Sequence, residues 1–89
     1  MIVEFDKSFD KSLDKLKDKS LFPKIEKVIS ILEKTGSISE LANSKKLSGY
    51  KVYYRYRLGD YRIGIEQISK TTIRLIIIAH RKDIYDVFP

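Results

Sequence analysis

At 89 residues, 43% of them hydrophobic, the chain fits one domain, residues 1–89, with a modest core. It has no cysteine and a single histidine, which excludes disulfides, thiolate metal sites and a His-rich metal centre. A net charge of +6 points to an anionic partner, and the longest apolar run, Leu75 to Ala79, is far too short to cross a bilayer.

In chain order, Ile2, Val3 and Phe5 make Met1 to Phe5 a first strand. That start has no basic stretch followed by an apolar one, so no signal peptide is expected, and the cytoplasm is the expected compartment. Residues 6–20 repeat an Asp-Lys unit every four positions. Phe9, Leu13 and Leu16 then form one helical stripe, and Lys7/Asp10, Lys11/Asp14 and Lys15/Asp18 form i,i+3 pairs. A second helix follows: Pro23 suits its first turn, Ile25, Val28, Ile29 and Leu32 fall on one face, and Gly36 is placed to end it. The short link at 20–22 makes the two helices an antiparallel hairpin. Ser37 to Ser48 reads as a polar connector, with a helical turn at Ser39 to Ala42.

Three strands come next. Tyr50–Arg57 is closed by the turn Leu58-Gly59-Asp60, where Gly59 can take positive φ. Tyr61–Ile68 follows, and after Ser69-Lys70-Thr71 comes Thr72–Ala79. The last is almost continuously apolar and reads as a central strand covered on both faces. His80 to Phe88 is a polar-aromatic tail with room for a helical turn. The order β-α-α-β-β-β predicts an α+β fold, an antiparallel sheet packed against an N-terminal helical hairpin.

Charge is unevenly placed along this pattern. Residues 1–43 hold eight lysines and eight acids; residues 44–89 hold ten lysines or arginines against four acids, which accounts for the whole +6. Every arginine lies in the sheet-forming half. Guanidinium is a planar fork that matches phosphate, whereas ammonium is a flexible point charge. Ordinary solvation is the alternative, but the asymmetry favours a polyanion. On the first strand of the hairpin, alternation places Lys51, Tyr53, Arg55 and Arg57 on one face and Val52, Tyr54 and Tyr56 on the other, towards the core.

No Gly-rich phosphate loop, nucleophile elbow or carboxylate pair is present. What remains is a cationic, aromatic constellation. The hairpin brings Arg62 near Arg55 or Arg57, where like charges repel unless an anion joins them; the alternative is a pair with Asp60 or Glu66. His80, Arg81 and Lys82 follow the last strand directly. His80 is either held at the sheet end or an exposed loop histidine, and Tyr85 either stacks a base or closes the core. RNA cleavage needs little more: the ribose 2′-hydroxyl is the nucleophile, arginines neutralise the phosphate, and a Tyr, Lys or His moves protons.

Three segments carry a family resemblance: Leu47-Ser48-Gly49-Tyr50-Lys51-Val52-Tyr53-Tyr54-Arg55-Tyr56-Arg57, then Gly59-Asp60-Tyr61-Arg62-Ile63, then Ala79-His80-Arg81-Lys82-Asp83-Ile84-Tyr85. They resemble the RelE/ParE toxin superfamily in order and spacing over nearly the whole chain. The resemblance implies the small toxin of a bacterial type II toxin–antitoxin pair. RelE-like members cut messenger RNA in the ribosomal A site; ParE-like members poison DNA gyrase. A RelE-like reading makes Arg62 and Arg81 phosphate and transition-state ligands. It puts Arg55 where RelE has lysine and makes Tyr85 the C-terminal tyrosine that orients or stacks substrate. Tyr53 stands where RelE has the lysine proposed as general base, so Tyr53, Lys51 and His80 are the candidates for that role.

Lys45, Lys46, Lys51, Arg57 and Lys82 are the expected RNA-contacting cations. The cationic strand face and His80 favour the RNase branch; a gyrase poison and a non-catalytic RNA-binding module are the alternatives. The expected partners are an antitoxin with an acidic and apolar segment, and mRNA on the ribosome. No metal, cofactor or membrane is expected.

Overall fold

The computed structural model describes residues 1–89. Its elements are β1 (Ile2–Phe5), α1 (Lys7–Asp14), α2 (Leu21–Lys34), a 3-10 turn (Ile38–Glu40), β2 (Ser44–Lys46), β3 (Tyr53–Leu58), β4 (Tyr61–Gln67), β5 (Thr72–His80) and α3 (Ile84–Val87). One five-stranded sheet runs β1-β5-β4-β3-β2. The α+β class and the helical hairpin are as expected, and the sheet is mostly antiparallel.

Two features of the sheet depart from the expectation. β1 lies parallel to β5, with Ile2 opposite Thr72 and Phe5 opposite Leu75. The whole helical hairpin and three strands separate the two in sequence, ample length for the crossover that parallel pairing needs. Inside the polar connector, Ser44–Lys46 adds β2 to the free edge of β3, with Lys45 opposite Arg55. Nothing in Ser-Lys-Lys favours a strand, so this pairing is imposed by β3. Its two lysines then guard the outer edge against further pairing.

Helix boundaries also move. Asp6 caps α1, accepting the hydroxyl of Ser8 at 2.6 Å and its backbone N–H at 3.0 Å. The hydroxyl bond foremost, then the backbone one, holds the Asp6 carboxyl below its ordinary range. α1 ends at Asp14, short of the expected residue 20. Beyond it, Asp18 accepts the N–H (3.0 Å) and hydroxyl (2.5 Å) of Ser20, a local side-chain turn that competes with helix. α2 ends on Thr35, whose hydroxyl bonds the Ile31 carbonyl, so Gly36 is not needed as a left-handed cap.

The main core lies between the hairpin and one face of the sheet. Phe9, Ile25 and Leu32 meet Ile63, Ile73 and Leu75, all at most 3% exposed, and Tyr56 joins them. Tyr54 packs against the same cluster, as the alternation of β3 requires. A smaller cluster of Leu47, Ile84 and Phe88 covers the other face, packed on Tyr53, Ile76, Ile77 and Ala79.

A β-bulge reconciles the apolar run of β5 with these two layers. Ile65 pairs with Leu75 and Gly64 with Ile77, so Ile76 is an extra residue. Ile73 and Leu75 face the helices; Ile76 and Ile77 both pack on the far layer; Ile78 returns to the helices. α1 satisfies the disrupted backbone. The Ser12 hydroxyl accepts the Ile78 N–H at 3.0 Å and donates to the Phe9 carbonyl at 2.7 Å. The Ser8 hydroxyl lies against the Ile76 carbonyl. Ser12 is the one buried polar residue. Ser12→Ala should therefore strand a buried N–H and lower stability by roughly 1–3 kcal/mol, read by urea denaturation. A change below about 0.3 kcal/mol would show that the bulge needs no such partner.

A candidate nucleic-acid groove on the far face of the sheet

The groove is built by strand alternation. In register, Arg57 faces Arg62, Arg55 faces Gly64 and Tyr53 faces Glu66. These six share the face away from the helices. β2 forms one wall, and the tail after β5 forms the other. The tail is pinned by Ile84 and Phe88, 1% and 2% exposed. Phe88 can lie flat because residue 64 is glycine: a Cβ there would sit 2.6 Å from the Phe88 ring. The resulting open groove has a volume of about 1070 Å³.

Its charge is one-sided. Lys45, Lys46, Arg55, Arg57, Arg62, Arg81 and Lys82 line it, and no Asp or Glu side chain does. Arg57 and Arg62 are direct cross-strand neighbours, an arrangement that destabilises a sheet when the charges are alike. Arg62 pairs with neither Asp60 nor Glu66. Its Nη1 donates instead to the carbonyls of Gly59 and Tyr61, each at 2.8 Å, which fixes the guanidinium at the hairpin turn. Asp60 reaches Arg81 at 3.9 Å, but both are well exposed and the pair is worth little. Glu66 goes to Arg74 at 3.8 Å, and Glu4 meets the same arginine at 3.0 Å. The arginine outside the groove is thus neutralised, while those inside are held together almost without counter-charge.

This chain matches the family described as the ParE toxin of type II toxin–antitoxin systems over residues 3–85. It belongs to the RelE/ParE toxin superfamily. It is 43% identical over 67 residues to Toxin RelE3 of Methanocaldococcus jannaschii, covering 74% of this chain and 75% of that one. The fold is similar to that of the RelB–RelE antitoxin–toxin complex from Methanococcus jannaschii, with a TM-score of 0.78, 37% identity, and coverage of 97% of this chain and 99% of the other. The archaeal RelE–RelB complex from Pyrococcus horikoshii is similar too, with a TM-score of 0.70, 28% identity, and coverage of 90% and 93%.

In this toxin the groove gathers most of the residues singled out from the sequence. Arg55, Arg62, Arg81 and Tyr85 line it together with Lys45, Lys46, Arg57 and Lys82. Three expected members lie elsewhere. Tyr53 is half-buried, its ring 5.5 Å from those of Tyr50 and Phe88, so it supports the tail rather than lining the groove. Lys51 is exposed in the bend before β3. His80 faces the α1 side, because the bulge at Ile76 has shifted the alternation of β5 by one residue. There its ring meets Tyr61 edge-on at 5.5 Å and its Nδ1 accepts the Lys82 N–H at 3.2 Å.

The groove also includes residues that the sequence did not single out. Asn43, Ser44 and Tyr50 line the β2 side of the groove, which stays hidden without β2. Gly64 and Phe88 set the tail. The glycine was the available signal, since a glycine inside a strand marks close approach of another group.

Proposed function

We propose that this toxin is an endoribonuclease that cuts messenger RNA on the ribosome and so inhibits translation. The observation that carries the reading is the groove itself: seven cationic side chains and no acidic one, on the sheet and on the tail packed against it, beside an exposed tyrosine. The names of its RelE relatives support it.

The chemistry fits those groups. The ribose 2′-oxygen attacks the adjacent phosphorus, and the bond from phosphorus to the 5′-oxygen breaks. Negative charge grows on the phosphate oxygens in between. Arg62, already tied to two carbonyls, and Arg81 are the preorganised cations for that charge. Lys45, Lys46, Arg57 and Lys82 hold the backbone. One proton leaves the 2′-hydroxyl and one reaches the 5′-oxygen. Lys45, Lys46, Lys82, Tyr50 and Tyr85 are the proton-carrying groups in the groove. Tyr53 and His80 are not within it, so the base is sought among the five that are.

Relatives solved as RelB–RelE complexes support an antitoxin partner for this chain. Its covering segment would be acidic and apolar, to match cations lying beside Tyr50, Tyr85 and Ile84.

Induced expression in a bacterium, with 5′-end mapping of mRNA, tests the reading. Wild-type chain should arrest growth and create new ends inside translated codons; Arg62→Ala should do neither. Co-expression of the neighbouring gene's product should lift the arrest. The ParE description of the matched family favours one other reading, a gyrase poison. Arrest with intact mRNA and stalled gyrase–DNA cleavage complexes would establish that reading and remove the RNase one.

A further inference from the structure

Arg55 differs from the other groove arginines in what it touches. Its guanidinium carbon lies 4.3 Å from the centroid of the Tyr85 ring, a cation–π contact. Its Nε is buried and has no hydrogen-bond partner. That edge of the fork is turned into the protein, where no phosphate can reach it. Tyr85 is 71% exposed and projects from α3, a helix of only four residues. Its neighbours Ile84 and Phe88 are both buried and fix the backbone, but they do not fix an exposed ring. The contact that does is Arg55. One face of the phenol rests on the guanidinium, and the ring otherwise opens onto the groove.

We infer that Arg55 is a positioning residue: it acts through Tyr85, as the floor that holds this ring ready to stack an RNA base, and not as a phosphate ligand. The inference rests on the RNA reading of the groove for the identity of what stacks, but the Arg55–Tyr85 contact stands apart from it. Arg57 and Arg62 are the contrast, being on the same sheet face with no aromatic partner. An unbound exposed ring samples several rotamers, and ordering it on binding weakens affinity. A guanidinium beneath it removes part of that loss. A lysine would supply charge without the flat surface, so this role depends on arginine.

A double-mutant cycle on the intact chain separates the two roles. The probe is a short single-stranded 2′-O-methyl RNA, which cannot be cleaved. Arg55→Met keeps the apolar stem, and an unchanged amide spectrum verifies the fold. Tyr85→Ala should weaken binding by roughly tenfold to hundredfold, and Arg55→Met by about threefold to thirtyfold. The double variant should bind about as well as Tyr85→Ala alone.

Arg55→Met should leave the salt dependence of binding unchanged. Arg57→Met, which removes a phosphate contact, should flatten the slope by about 0.7. The Tyr85 ring signals in carbon-13 tyrosine spectra should shift in Arg55→Met without any RNA. Multiplying effects, a flattened slope and unmoved ring signals would overturn the inference. If the wild-type chain binds no RNA, the proposed function falls, and the ring signals alone decide: moved signals keep Arg55 as the floor of Tyr85, unmoved ones remove it.

Discussion

Replacing Arg62 and Arg81 together by alanine should abolish mRNA cleavage while leaving the fold intact. Loss of a single preorganised donor to a developing oxyanion lowers turnover by about 100-fold to 1,000-fold. The two arginines would act on one phosphate, so their losses should not simply multiply. A combined loss of about 1,000-fold or more is the expected result, falling on kcat more than KM because the charge appears in the transition state. Arg62→Lys should recover only part of it. Arg62 gives Nη1 to both the Gly59 and Tyr61 carbonyls and keeps Nη2 and Nε as further donors, whereas the single nitrogen of a lysine would have to serve the carbonyls and the phosphate at once. The structural effect is small, because Arg62 is half-exposed near the start of β4 and Arg81 is exposed in the turn after β5. A thermal midpoint within a few degrees of wild type verifies that. A double variant that keeps its fold and still cuts mRNA would end the RNase reading.

Gly64→Ala should be the most damaging single substitution outside the charged groups. The new Cβ would sit 2.6 Å from Phe88 Cδ1, and the next two nearest atoms belong to the same ring. Phe88 is 2% exposed and cannot give way by a rotamer change at the surface. Either the sheet is overpacked or the ring leaves, and each costs about 1–3 kcal/mol. If the ring leaves, Ile84 and Tyr85 go with it, and the groove loses one wall. Cleavage should therefore fall although residue 64 offers no side chain to RNA. Phe88→Ala makes the test specific. It should itself destabilise the chain, and Gly64→Ala added to it should then cost almost nothing. Equal damage from Gly64→Ala in both backgrounds would place the fault in the strand rather than in the tail.

The elements that the sequence declared best were those with a strong local period. Phe9 and the α2 stripe of Ile25, Val28 and Leu32 are core because helical spacing leaves them no other place. Tyr54 and Tyr56 turned to the helices, and Arg55 and Arg57 away from them, as alternation in β3 requires. The turn at Gly59 followed the same local logic, with φ at 56°. What stayed hidden depends on partners distant in sequence. β2 is a strand only because β3 leaves an edge open, so Lys45 and Lys46 were read as loop cations rather than a groove wall. Tyr53 stands at the right register for the site but beneath Phe88, a contact between residues 35 apart that no local pattern reveals. His80 lies off the groove because the extra residue in β5 leaves its side chain on the α1 side, and an unbroken isoleucine run carries no mark of which member is extra.

That extra residue has an evolutionary corollary. Past Ile76, every side chain of β5 points opposite to where an even count from Thr72 would send it. Deletion of one codon within Ile76–Ile78 would remove the bulge yet leave Ala79 opposite Arg62 and His80 opposite Tyr61, so the imidazole would still face α1. Pairing with β4, rather than the length of the hydrophobic run, therefore keeps the histidine out of the groove. A single-residue gap there would straighten β5 without changing which side chains meet the substrate.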